Sequence, residues 1–261
     1  MPFAAWGGEI WVSLENHPKK TRSNRIVKQT LREYRTLLRT ASPLLVTLMV
    51  LSVVGMNLLA NKSIDTGLSW LALDGGILFS WLAFLSMDVF THCYGPRAAN
   101  MVSVTALLLN LFMALIFFLG SRLPGVWGES FVEGSGGIIN RALDNTFAGT
   151  WFILLGSSIA FLASALFNNY LNDAIGRLAH KKAGFGVFAL RSYVSTFLAQ
   201  FADNLIFALL VSRTFFGWTM LQCFTCALTG AVAELLCEVL FSPLGYRLSR
   251  RILAEGKGAA A

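Results

Sequence analysis

The fold class this sequence predicts is an all-α membrane protein of six transmembrane helices, preceded by a basic amphipathic helix that lies along the membrane surface. Three observations predict it. Only 13% of the 261 residues are charged, against about a quarter in an ordinary soluble domain, and mean hydropathy is +0.61. Six apolar runs are long enough to cross about 30 Å of hydrocarbon. Lysine and arginine are sharply segregated: alternate assignment of the intervening segments puts 17 on one side and 4 on the other. By the positive-inside rule both termini then face the cytoplasm. The same distribution accounts for the net charge of +7 without direct contact with nucleic acid.

The elements follow in chain order. Residues 1 to 20 read as a poorly ordered extension. Val27, Leu31, Tyr34 and Leu38 recur at helical spacing among Arg and Lys, which predicts an interfacial helix on an anionic surface. The predicted spans are Ser42 to Ala60, Leu68 to Phe90, Ala98 to Gly120, Phe147 to Leu171, Ser192 to Val211 and Phe215 to Phe241, with Pro243 ending the last. This gives an extension with its interfacial helix over 1–40, a transmembrane domain over 41–246 and a basic tail over 247–261. The loop from Ser121 to Thr146 carries Glu133-Gly134-Ser135-Gly136-Gly137 but lacks the Gly-Lys-Ser/Thr that makes a P-loop. Cys223 and Cys226 form a C-x-x-C with no second ligand pair nearby, so neither a metal nor a cofactor is expected.

Ionisable side chains inside a span cost roughly 2.5 to 3.5 kcal/mol each on insertion scales and normally face a cavity or a partner. The predicted spans hold Asp74, Asp88, Asp203, Glu234 and Glu238, with Asp173 at the end of the fourth. Ser192, Ser195, Thr196, Gln200, Asp203 and Asn204 fall at steps of three to four and form one polar stripe, as a water- or ligand-filled cavity requires. Glu234 sits deep in the sixth span, whereas Glu238 is placed near the interface. Asp88 and His92 are one helical turn apart. Asn57 to Asp88 and Asn172 to Asp203 repeat at an offset of 115 residues. Three spans separate the copies, so the sequence is open to a division into two inverted halves.

Three segments carry a resemblance. Asp88-x-x-x-His92-x-Tyr94-Gly95-x-x-x-Ala99, Arg191-x-x-x-Ser195-Thr196-x-x-x-Gln200-x-x-Asp203-x-x-x-Phe207 and Ser242-Pro243-Leu244-x-Tyr246 are similar to the queuosine precursor transporter (VUT) family, over about Asn57 to Tyr246. The chain departs from the family pattern at Ser80-Trp81, His92, Asn168-Asn169 and Glu234. The resemblance implies a non-enzymatic importer of a 7-deazaguanine base for tRNA modification: 7-cyano-7-deazaguanine, its aminomethyl relative, or queuine. It would sit in the cytoplasmic (inner) membrane of a prokaryote. The partners implied are a nucleobase and the lipid bilayer, with a homodimer left open.

A guanine-like edge offers two parallel N–H donors that a carboxylate accepts as a fork, while amide side chains suit its remaining polar atoms. Asp203 is therefore expected to read the base edge. Gln200, Asn57, Asn168, Asn169, Asn204 and Glu234 would contact the rest, with Phe207 and Trp81 as stacking rings and Trp151, Phe167 and Tyr170 as further candidates. Asp88, His92, Arg97 and Arg191 are the candidates for a gate or for proton coupling. Two other readings stand beside this one: an intramembrane enzyme using the Asp88/His92 pair, and the substrate-binding component of an ATP-driven vitamin importer.

Overall fold

The computed structural model describes residues 19–127, 134, 136–178 and 184–256. The extension before Lys19, most of the glycine-rich loop, and Lys181, Lys182 and Lys257 lie outside the described residues. The chain divides into two compact units, Met1–Arg39 and Thr40–Ala261.

The first unit carries α1 (Lys19–Thr40). Leu31 and Leu38 are exposed on it, and Gln29 donates to Glu33 one turn on (3.0 Å). Leu31 and Leu38 are thus presented among charged residues, while Leu37 is buried.

In the second unit, α2 (Pro43–Leu59) leads into a hairpin of β1 (Ser63–Asp65) and β2 (Ala72–Asp74). Then follow α3 (Ile77–Tyr94), α4 (Pro96–Gly120), α5 (Gly136–Leu178) and α6 (Phe185–Phe207). A π-helical stretch (Ala208–Ser212), α7 (Arg213–Phe215) and α8 (Met220–Ala254) complete it. α3, α4, α5, the Phe185–Phe215 stretch and α8 are each long and apolar enough to cross a membrane. The 17-residue α2, at about 26 Å, supplies the sixth apolar helix.

The strands are a departure from the all-α expectation, and they shorten the second predicted span. Asp65 accepts from the Gly67 backbone (2.8 Å) and Thr66 donates to the Leu71 carbonyl (2.8 Å), so the turn is made by side chains. The antiparallel register sets Ser63 opposite Asp74. Gln222 and Thr225 of α8 donate to the carbonyls of Ser69 (3.1 Å) and Trp70 (2.7 Å), tying the hairpin to that helix. The membrane-length helix therefore begins at Ile77 rather than Leu68, and Asp74 precedes it. Cys223 and Cys226 are absorbed here, packed with Ala72, Ala208 and Trp218 in an apolar cluster.

α3 is the most enclosed of the spanning helices, with 67% of its residues buried, and it packs against α2, α4, α5, α6 and α8. α4 shows why the rim is stable in lipid. It turns Ala99, Ser103, Ala106 and Ala114 inward, where small side chains allow close helix approach, and leaves Leu108, Phe112 and Leu115 exposed.

Pro243 does not end α8, which continues to Ala254. A proline nitrogen cannot donate to the carbonyl four residues back, and here the Ser242 hydroxyl bonds that orphan, the Val239 carbonyl (3.2 Å). Tyr193 of α6 then shares a hydrogen bond with Ser242 (2.7 Å), bracing the site of the break.

Candidate functional site

The polar residues predicted inside the membrane gather in two places. The first lies at the hairpin end of the bundle. Met56, Asp74, Gly76, Ser80, Ser157, Asp203, Asn204, Phe207 and Glu234 line a cavity of about 20 Å³ there, room for about one water.

Most of the polar side chains are held by a neighbour from another helix. Ser164 of α5 donates to Asp203 of α6 (2.7 Å). Ser80 of α3 and Asn204 of α6 both donate to Glu234 of α8, the latter at 3.1 Å. With its amide nitrogen turned toward the carboxylate, Gln200 also donates to Glu234 (2.8 Å to Oε1). Asp74 accepts from the Gly76 backbone (2.8 Å), which pulls its pKa down, but burial outweighs this and raises it to about 6.

Gly230 makes one of these contacts possible. A Cβ on it would lie 2.6 Å from Asn204 Nδ2, so Asn204 keeps this position only while α8 has no side chain there.

The second cluster lies toward the α3–α4 turn. Asp88 accepts from Asn168 (2.8 Å), Thr196 (3.0 Å) and Ser192, and Ser192 also touches Glu238. Asp88 and Glu238 are both fully buried. Arg191 hydrogen-bonds Asn172 through Nε (3.0 Å) and Nη2 (2.7 Å), and His92 Nδ1 through Nη1 (3.2 Å).

Of the expected substrate contacts, Asp203, Asn204, Glu234 and Phe207 line the cavity, and Gln200 stands directly behind Glu234. Asn57 is set one step back, accepting from the cavity-lining Ser157 and donating to its own helix at Val53 (2.7 Å). Asn168 belongs to the Asp88 cluster. Asn169 bonds Thr91 (3.2 Å) and Asn100 (2.7 Å), fastening α5 to α3 and α4. Trp81 stacks on Phe241 (4.5 Å between centroids) in an apolar groove of about 170 Å³ between α2, α3 and α8. Trp151, Phe167 and Tyr170 are exposed on α5. These side chains are apolar or amphipathic, and the outer face of a bundle in lipid accommodates them as readily as a ligand would.

Of the gate candidates, Asp88, His92 and Arg191 gather at one end, while Arg97 is exposed at the head of α4. Asp88 and His92 turn to different partners, so the acid–imidazole pair is not a hydrogen-bonded unit. Glu238, placed near the interface from sequence, is fully enclosed because α3 and α6 cover that face of α8. The cavity also takes in Asp74, Ser80 and Ser157, with Ser164 behind Asp203, none of which sequence reasoning selected. For Glu238 a signal existed, since it shares a helical face with Glu234. For the serines none did, because serine is common in packed helices.

A bundle of apolar helices enclosing convergent carboxylates and amides is the build of a multi-pass membrane transporter. Residues 74–248 match the family described as "Putative vitamin uptake transporter", and the chain belongs to that family. No curated protein and no solved structure gives a significant match.

Proposed function

We propose that the protein imports a 7-deazaguanine base, binding it at the hairpin-end cavity. The observation that carries this reading is the convergence of three carboxylates, Asp74, Asp203 and Glu234, with the amide of Asn204 on one buried space, backed by Gln200 behind Glu234. Asp203 accepts the parallel N–H donors of the guanine-like edge. Asn204 serves the ring acceptors, and Phe207 offers a face for stacking. Glu234 and Asp74 are acids in excess of what a neutral base needs, which favours a ligand carrying a cation, such as the aminomethyl derivative.

The cavity holds about one water, so this conformation is closed around the site and a base enters only when helices part. Alternating access supplies that opening. The π-helical stretch after Phe207 is a natural place for α6 to give way, since such stretches often mark functional positions. Asp88, His92, Arg97 and Arg191, at the other end, form the gate in this reading. The basic excess in the segments at that end supports a cytoplasmic position for it in a prokaryotic inner membrane.

The test is thermal stabilisation of the detergent-solubilised protein by queuine, both 7-deazaguanine precursors, guanine and several vitamins. A ligand at 100 times its Kd stabilises by roughly 2.7 kcal/mol. Selective response to the deazaguanines is the expected result. Response to a vitamin alone would replace this substrate class with that one.

A further inference from the structure

The second cluster contains more acid than a gate needs. Asp88 of α3 and Glu238 of α8 are both fully buried, and they meet at one hydroxyl, Ser192 of α6, which reaches an oxygen of each. A serine hydroxyl has one hydrogen and a carboxylate has none. Two carboxyls that meet at one hydroxyl cannot both receive its hydrogen, so the second contact calls for a proton on one of the acids.

The donors around the pair say where that proton sits. Asp88 collects Asn168 and Thr196 as well as Ser192, the setting of an ionised carboxylate. Glu238 Oε2 is buried without a hydrogen-bond partner, as is Asn168 Oδ1. An orphaned carboxyl oxygen in a dry site suits the neutral acid, because ionising it unpaired would be far costlier.

The surroundings leave one negative charge to be balanced. Arg191 on α6 supplies the nearby cation, itself engaged with Asn172 and His92. His92 and Cys93 on α3, Asp173 on α5 and Glu234 on α8 are the other titratable neighbours, α2 contributes none, and Arg97 is exposed on α4. His92 accepts an arginine N–H at Nδ1, so it is not free to take a proton there and is not the carrier.

Position makes the pair useful. Glu238 is one turn from Glu234 on α8, and Thr196 is one turn from Gln200 on α6. Each turn advances about 5.4 Å along a helix. Asp88 and Thr196 are joined at one level, and Glu234 and Gln200 at the next. A change of charge at the pair is therefore felt one turn away, at the site proposed for the base.

We propose that Asp88 and Glu238 form a proton-binding site that carries one proton in the same direction as each base. This rests on the transport reading for its role, but not for the proton itself. On entry the pair takes a proton from the outer aqueous phase, and it gives that proton up on the inner side as the base leaves.

The test has two arms. In vesicles containing the full-length protein, uptake of labelled 7-aminomethyl-7-deazaguanine is measured with and without an inward proton gradient. One coupled proton per base and one pH unit of gradient give about tenfold accumulation, since a pK unit equals a factor of ten. The ratio of uptake with the gradient to uptake without it falls to about one in Glu238→Gln. A ratio unchanged in both Glu238→Gln and Asp88→Asn overturns the proposal, as does stimulation by a sodium gradient instead.

The second arm needs no substrate. Infrared titration of the solubilised protein reads the protonated-carboxyl C=O band at neutral pH, and one such band is lost in Glu238→Gln. Its persistence in both variants overturns the proton site. Failure of wild-type vesicles to take up any base counts against the transport reading alone, and the infrared arm then decides the proton site by itself.

Discussion

The two polar clusters are made of the same residue types and packed differently. At the hairpin end, three carboxylates and their amides leave a small cavity between α2, α3, α5, α6 and α8. Toward the α3–α4 turn, Asp88, Glu238, Asn168, Ser192 and Thr196 close on one another. Where polar groups satisfy each other they bind helices together; where they line a space they are available to something else. Asp88 and Asp203, the two acids related by the 115-residue offset, fall one in each cluster. On α6 the clusters' outer members, Ser192 and Asp203, are 11 residues or about 16 Å apart, while their facing members, Thr196 and Gln200, are one turn apart.

The largest expected effect is on the closed cluster. Asp88→Ala strips the acceptor from three buried donors, each costing about 1–3 kcal/mol when left unpaired. The measured outcome is a steep drop in thermal stability in detergent, on the order of 3–5 kcal/mol. Asp203→Ala should lower stability far less, since only Ser164 loses its partner. Equal losses in the two variants would erase the distinction between the clusters.

Next comes ligand affinity, where the order reverses. Asp203→Ala removes a charge-assisted fork and should weaken base binding by about 10- to 100-fold, the scale of 1.5–3 kcal/mol for hydrogen bonds to a charged group. Asn169→Ala, in contacts remote from the cavity, should change affinity by less than about threefold. Calorimetric titration with the best-stabilising base checks both.

Gly230→Ala sharpens the comparison without deleting any polar group. The new methyl would sit within 3 Å of Asn204, which must swing away and release Glu234. Losing one such bond costs about 1 kcal/mol, so affinity should fall by about fivefold. Tight apposition to Arg191 makes Gly176→Ala the matching variant at the other cluster, where the expected loss is in stability instead.

How much of this could be read from the residues differs by feature. The apolar helices were legible because long apolar runs are strong, local signals, and the stripe on α6 brought out Gln200, Asp203 and Asn204 through helical periodicity alone. The hairpin was not, because Leu68 to Leu73 is as apolar as the helix it precedes; only Gly75-Gly76 marks the break. Trp81 shows a second limit. An aromatic ring in a membrane helix serves lipid or ligand equally well, and which one depends on helix rotation, a property of the packed bundle. Glu238 shows a third, since depth in the sequence did not reveal that two other helices cover it.

The smallest expected effect lies at the mouth of the cavity. Asp74 precedes the spanning part of α3 and has its pKa raised to about 6 by burial, so it is neutral at pH 5 and ionised at pH 7. It shares the cavity with Asp203 and Glu234, and its ionisation adds a negative charge where an aminomethyl cation is expected to rest. Affinity for the aminomethyl base should therefore rise by about threefold between pH 5 and pH 7, the scale of a weakly screened charge pair. The neutral cyano base should show little of that rise, and Asp74→Asn should remove it from the cationic one. A rise of equal size for both bases, surviving in Asp74→Asn, would move the pH sensitivity to the Asp88–Glu238 pair and leave the hairpin acid with only the structural task of holding the Gly76 turn.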